Sequence, residues 1–169
     1  SYNHFGARNT NGVLELLPHV GVLNRNIVVR SENPTGTRGH VLFTDRANID
    51  IRYARFVDLG RTDAFRAANN TIFTNGVLTQ IGTNQIGRYP VHFHHLNGPV
   101  NPTNTGYQFK FVGNTVDSAK RWSVTVHGTD YGYIANNVVY NGQGGGFVSE
   151  DGTEIGNEFI GNFVVRMQG

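Results

Sequence analysis

The sequence predicts an all-β fold: a right-handed parallel β-helix, a solenoid with coils of about 23 residues. Three observations predict it. Gly makes up 22 of 169 residues and charged residues only 15%, and the apolar content is carried by Val, Ile and Phe between Asn- and Gly-rich stretches. That mixture describes short strands joined by tight corners rather than helices. Apolar and polar residues alternate with period two in Val91, His92, Phe93, His94 and again in Val124, Thr125, Val126, His127, the pattern of strands with one buried face. Finally, Asn114, Asn137 and Asn162 recur 23 and 25 residues apart, beside a column of Val57, Val116, Val139 and Val164. A repeat of this length holding two or three short strands is one coil of a solenoid.

Composition also bounds function. The 14 Lys and Arg against 12 Asp and Glu give a net charge of +2, and they are scattered, so no basic tract points to nucleic acid or an anionic membrane. The absence of Cys excludes disulfides, Cys-based zinc sites and a Cys nucleophile. No apolar run reaches membrane-spanning length. Ser1 follows no initiator Met, and a strand-like run stands just before Gly169, so the sequence is expected to be one β-helix domain, residues 1–169, from a longer chain. Missing capping domains or neighbouring chains are then expected at the coil ends.

In chain order, residues 1–18 form an irregular lead-in. Residues 9–12 make a turn, residues 13–17 a short strand or one helical turn, and Pro18 limits any helix. Residues 20–23 and 27–29 read as strands around a corner at residues 24–26. Residues 31–39 are a Pro/Gly/Thr loop, and residues 40–44 the next strand. Residues 54–58 align with 113–117, placing Asp58 and Asp117 in one column near a corner. Residues 61–86 interrupt the period as an extra coil or a long excursion. Residues 97–106, with Pro99 and Pro102, form a polar loop of the kind that walls binding grooves. The Asn column is read as an asparagine ladder, side-chain amides bonding from coil to coil. The right-handed sense follows the rule for parallel crossover connections.

The chemistry collects in one outward column. If Val91 and Phe93 face the core, His92 and His94 project together about 7 Å apart along the strand. Stacking the coils about 4.8 Å apart places Thr44, His94, His127 and Glu150 in one vertical row, provided residues 61–86 add no full coil. His92, His94, His127 and Glu150 match a divalent-metal shell in type and number; zinc, iron or manganese suits such ligands better than calcium. Without a metal, His94, His127, Glu150 and Asp151 are candidates for general acid–base catalysis. A polar face of stacked imidazoles with no function is the plain alternative. Glu150 with Asp151 or Glu154 could supply the two carboxyls of a glycosidase, as could many surface pairs, and Asp151-Gly152 reads first as a turn. Arg88, Lys120 and Arg121 precede the outward strands and are candidates to hold an acidic sugar. Tyr89 and Trp122 begin the same strands and are candidates to stack on a sugar ring. His95 is off-parity and reads as structural; His4, His19 and His40 are scattered and receive no role.

The motifs Gly87-Arg88-Tyr89-Pro90-Val91-His92-Phe93-His94, Val124-Thr125-Val126-His127-Gly128 and Glu150-Asp151-Gly152-Thr153-Glu154, with Asn157, resemble the parallel β-helix region of a known family. It includes the cell-migration-inducing hyaluronan-binding protein, the transmembrane cell-surface hyaluronidase and, more distantly, the fibrocystin-like proteins. The segment from Val20 to Val29 and Arg38-Gly39-His40-Val41 resemble that family's approach to the helix. The chain departs from the animal members at Ser123 and Gly146, where they carry Cys. The resemblance implies a secreted or surface right-handed β-helix that depolymerises or handles a polysaccharide, hyaluronan being the model substrate. Two function classes stand: a carbohydrate-active enzyme, such as a glycoside hydrolase acting on an acidic glycan, or a non-catalytic β-helix serving adhesion, spacing or carbohydrate binding. A polysaccharide lyase would call for an acidic calcium cluster, against which the prevalence of His argues.

Overall fold

The computed structural model describes residues 5–97 and 106–169. Most of the polar loop at residues 97–106, and His4, lie outside them. Among the described residues there are seventeen strands and no helix. β1 (Ala7–Arg8) and β2 (Leu14–Leu16) form a small antiparallel pair, so residues 13–17 resolve to strand. β3 (Ile27–Arg30), β4 (Val41–Asp45), β5 (Ile49–Arg52) and β6 (Ala54–Val57) follow. Residues 20–23, expected as a strand, adopt none. The chain continues through β7 (Ile72–Thr74), β8 (Val77–Gln80), β9 (Val91–Leu96), β10 (Phe109–Val112), β11 (Thr115–Asp117) and β12 (Val124–His127). β13 (Gly132–Ala135), β14 (Val138–Gln143), β15 (Phe147–Ser149), β16 (Glu158–Ile160) and β17 (Phe163–Gln168) complete it.

Three parallel sheets stack these strands: β4-β9-β12-β15, β5-β10-β13-β16 and β3-β6-β11-β14-β17. Each coil contributes one strand to each sheet, the arrangement of a parallel β-helix. Residues 61–86 add no strand to any of them. β4 pairs directly with β9, Val41 opposite Val91, and β7 pairs antiparallel with β8. The segment is therefore an excursion carrying a hairpin, not a coil. It is pinned by the buried Asn84, whose side-chain amide donates to the carbonyls of Asp63, Arg66 and Ala67.

The core lies between the three sheets. Val91, Phe93, Phe109, Phe111, Val124, Val126, Ile134 and Val139 are fully buried, and Phe93 stacks on Phe109 with ring centroids 4.1 Å apart. Val124 pairs with Val91 and with Phe147, Val126 with Phe93, so the inner columns fall as the alternation requires. One column does not. Val116 stands opposite Phe56, not Val57, and Asp117 opposite Val57. A one-residue slip turns every side chain to the other face: Phe56 takes the core position, Val57 is half-buried, and Asp58 and Asp117 are not column partners. Val164 pairs with Val139 but is 40% exposed, because β17 is the outermost strand of its sheet.

The asparagine ladder is present at the corner before β11, β14 and β17. The Oδ1 atoms of Asn114, Asn137 and Asn162 accept from the backbone N–H groups of Ala54, Asn114 and Asn137, at 2.9, 2.8 and 3.0 Å. Their Nδ2 groups donate to the carbonyls of Ile51, Phe111 and Ile134. Each amide thus satisfies backbone groups that the corner takes out of the sheet ladders. Asn137→Ala is expected to cost about 1–3 kcal/mol, since the buried N–H of Asn114 and carbonyl of Phe111 lose their partners. A melting temperature unchanged in that variant would reduce Asn137 to an ordinary turn residue.

Candidate functional site

β9 carries the centre of the site. Val91 and Phe93 are drawn into the core, which forces His92 and His94 onto the outer face. β12 lies beside β9 with Thr125 opposite His92 and His127 opposite His94, so the third imidazole arrives from the next coil. Glu150 follows β15, and its backbone N–H bonds to the Val126 carbonyl, which brings it to the same face. These side chains, with Leu42, Ile86, Gly87 and Arg88, line a cavity of about 240 Å³.

The donor atoms converge. His94 Nδ1 and His127 Nδ1 are 3.0 Å apart. Glu150 Oε2 is 3.5 Å from His127 Nδ1 and 3.8 Å from His92 Nε2. The ligand atoms of His92, His94 and His127 all lie within 4.8 Å of one another. Ligands of a tetrahedral zinc ion at about 2.0–2.1 Å sit roughly 3.3 Å from each other, near the 3.0 and 3.5 Å separations; the wider pairs would close by side-chain adjustment.

The surroundings fix the tautomers. A carbonyl only accepts, so His92 Nδ1 donates to the Gly87 carbonyl at 3.0 Å, leaving the Nε2 lone pair turned inward. That atom and Glu150 Oε2 are both buried with no hydrogen-bond partner among the described residues. His127 Nε2 lies 3.0 Å from Asp151 Oδ2, which turns the Nδ1 lone pair toward the cavity. Imidazoles oriented by a carbonyl and a carboxylate on their far nitrogens are typical of metal-ligating histidines. Burial holds His92 neutral, its pKa lowered to about 4. His94 is lowered by burial and by the neighbouring His95 and His127.

In metal-free protein the unfolded chain takes up the His92 proton near pH 6.5, whereas the folded chain resists until about 4. Stability from this residue is therefore complete above about pH 6.5 and lost as pH falls toward 4. His92→Gln is expected to flatten the dependence of the melting temperature on pH across that window; an unchanged slope would mean that His92 is not held neutral.

The other sequence candidates divide. Arg88 lines the cavity. Tyr89 is 1% exposed and has no free face for a sugar. Its ring lies 5.0 Å from His92 and 5.1 Å from Trp122, and its hydroxyl donates to Glu150 Oε1 at 3.0 Å. Burial and the Glu150 charge keep that hydroxyl protonated well above its usual range. Arg121 stacks over Trp122 at 5.0 Å, so these two form a lid over Tyr89 outside the cavity. Lys120 turns away and lines other depressions, one with Arg38 and Asp58. Glu154 is a loop cap. Burial works against its ionisation, but bonds from Ser149 and from backbone N–H groups, those of Gly128 and Asp151 among them, lower it to about 2.

One neighbour of the cluster falls outside the alternation. His95 has φ of 49°, and Asp45 pairs with Leu96 after Phe43 has paired with Phe93. Two residues, His94 and His95, therefore oppose Thr44 in a β-bulge, and Thr44 does not continue the column. The bulge swings the His95 ring to 4.4 Å from His94 and 4.9 Å from His127. Gly128 makes room, since a Cβ there would approach the His95 ring to 3.1 Å.

A family model described as CEMIP beta-helix matches residues 59–169. Human fibrocystin-L is 35% identical over 86 residues, which is 50% of this chain and 2% of its own length. The human cell migration-inducing and hyaluronan-binding protein is 30% identical over 164 residues, 94% of this chain and 11% of its own length. Human cell surface hyaluronidase CEMIP2 is 28% identical over 151 residues, 88% of this chain and 10% of its own length. The chain thus spans only 2–11% of these relatives. No solved structure matches it.

Proposed function

The chain belongs to the CEMIP beta-helix family, and from that premise we propose that it is a secreted or cell-surface β-helix acting on an acidic polysaccharide of the hyaluronan type through a metal held by His92, His94, His127 and Glu150. The observation that carries this reading is the pair of buried, unpartnered acceptors, His92 Nε2 and Glu150 Oε2, 3.8 Å apart beside two further imidazole nitrogens. Two acceptors facing one another across a cavity beside further imidazole nitrogens suit a cation between them. Three nitrogens and one oxygen suit zinc, iron or manganese better than calcium. A divalent ion there would polarise a glycan oxygen or acidify a bound water. The protein's part is to favour the neutral form of His92 and His94 through burial, to orient His92 and His127 through Gly87 and Asp151, and to present Arg88 to an anionic group.

In the names of two relatives hyaluronan appears as ligand or substrate, which supports the glycan class. The helix is taken as right-handed, as nearly all parallel crossovers are. No helix of the described residues is long and apolar enough to cross a membrane. The outermost strands at both ends of the stack leave apolar residues exposed, among them Ile27, Phe159 and Ile160, which fits capping by further domains or neighbours.

The experiment is elemental analysis of the purified protein combined with a screen of anionic polysaccharides for chain shortening. One transition metal per chain with cleavage supports the metalloenzyme. Metal-free protein that cleaves supports acid–base catalysis by His94, His127, Glu150 and Asp151. Metal-free protein that binds glycan without cleaving it supports a binding or adhesion module.

A further inference from the structure

Tyr89 and Glu150 lie in different coils. Tyr89 immediately precedes β9 by way of Pro90, whereas Glu150 follows β15, and β12 lies between those strands. Two strand spacings amount to about 10 Å, a gap closed from both sides, by the tyrosine from one coil and the glutamate from the other. The ring crosses it buried, between His92 and Trp122, and the hydroxyl bonds to Glu150 Oε1 at 3.0 Å. Oε1 being taken, Oε2 is turned toward His127 and His92 and receives no hydrogen bond among the described residues.

We infer that Tyr89 is a positioning residue, a strut that holds the Glu150 carboxylate against the three imidazoles so that Oε2 completes the metal shell. This rests on the metal reading of the cluster. Glu150 stands on the loop that leaves the outermost strand of its sheet; its backbone is tied to Val126, and among the described residues the Tyr89 hydroxyl is the hydrogen-bond donor found on its carboxylate. Released from Tyr89, the carboxylate is free to rotate outward and gain hydration, leaving a three-nitrogen site.

The test is a double-mutant cycle read with Co²⁺, whose visible spectrum reports ligand number and type. Tyr89→Phe keeps the ring and its packing and removes only the hydroxyl. It is expected to weaken Co²⁺ binding 10–100-fold, the usual range for losing an outer-shell partner, and to change the spectrum of the saturated site in the same direction as Glu150→Gln. The double variant is expected to bind no more weakly than Glu150→Gln alone, because the hydroxyl acts through the carboxylate. Wild-type affinity and spectrum in Tyr89→Phe, or losses that multiply in the double variant, would overturn the strut while leaving the metal site standing. A wild-type protein that takes up no Co²⁺ would overturn the metal reading and the strut together.

Discussion

His94→Ala and His127→Ala are each expected to abolish stoichiometric binding of a transition metal while leaving the fold intact. Both rings stand on the outer face, and their strands are held by Val91, Phe93, Val124 and Val126 on the inner face. Removing an imidazole therefore opens no core cavity, and the melting temperature of metal-free protein should move little. The loss of affinity should exceed the 10–100-fold typical of outer-shell changes, because a ligand itself is gone and His94 Nδ1 and His127 Nδ1 sit only 3.0 Å apart. Isothermal titration with Zn²⁺ checks this. Wild-type affinity in both variants would reduce the cluster to a surface feature.

Phe93→Ala is expected to have the opposite signature. Phe93 is fully buried and packs against Phe43, Phe109 and Phe111, joining two sheets at the level of the site. Emptying such a position costs about 3–5 kcal/mol, which for a chain of this size lowers the melting temperature by roughly 6–20 °C. Metal binding should weaken as well, since β9 carries two of the ligands and Phe93, between His92 and His94, is one of the side chains that seat it on the core. Thermal unfolding followed by circular dichroism measures the effect. A drop of less than about 2 °C would mean that the site rests on some other anchor.

The parts of the fold that could be read from sequence are those where burial and alternation agree. Residues 91–94 and 124–127 each place two apolar side chains inward, and the structure pairs them residue for residue. The Asn column was legible because its members sit at one recurrent corner. The preceding coil falls out of the sequence alignment because it has no Asn at this corner: Ala54 stands there, and its backbone N–H donates to Asn114 Oδ1. Val57 and Asp58 then mimic Val116 and Asp117 one residue out of step.

The site shows the same boundary. His92, His94, His127 and Glu150 follow from parity and repeat spacing. His95 does not, since a bulge reverses parity and no local residue type announces it. Position in the sequence groups Lys120 with the outward strands, but the corner before β12 directs it to another face. The second role of Tyr89 was hidden because its partner lies 61 residues away, in a coil two strands removed.

The central claim is that His92, His94, His127 and Glu150 enclose a transition metal. Anomalous diffraction from crystals grown with Zn²⁺, recorded on both sides of the zinc edge, tests it most directly. The expected result is one strong peak per chain, bounded by His92 Nε2, His94 Nδ1, His127 Nδ1 and Glu150 Oε2, at about 2.0–2.2 Å from each. A zinc peak elsewhere with this cavity empty, or no peak at saturating Zn²⁺, would contradict it.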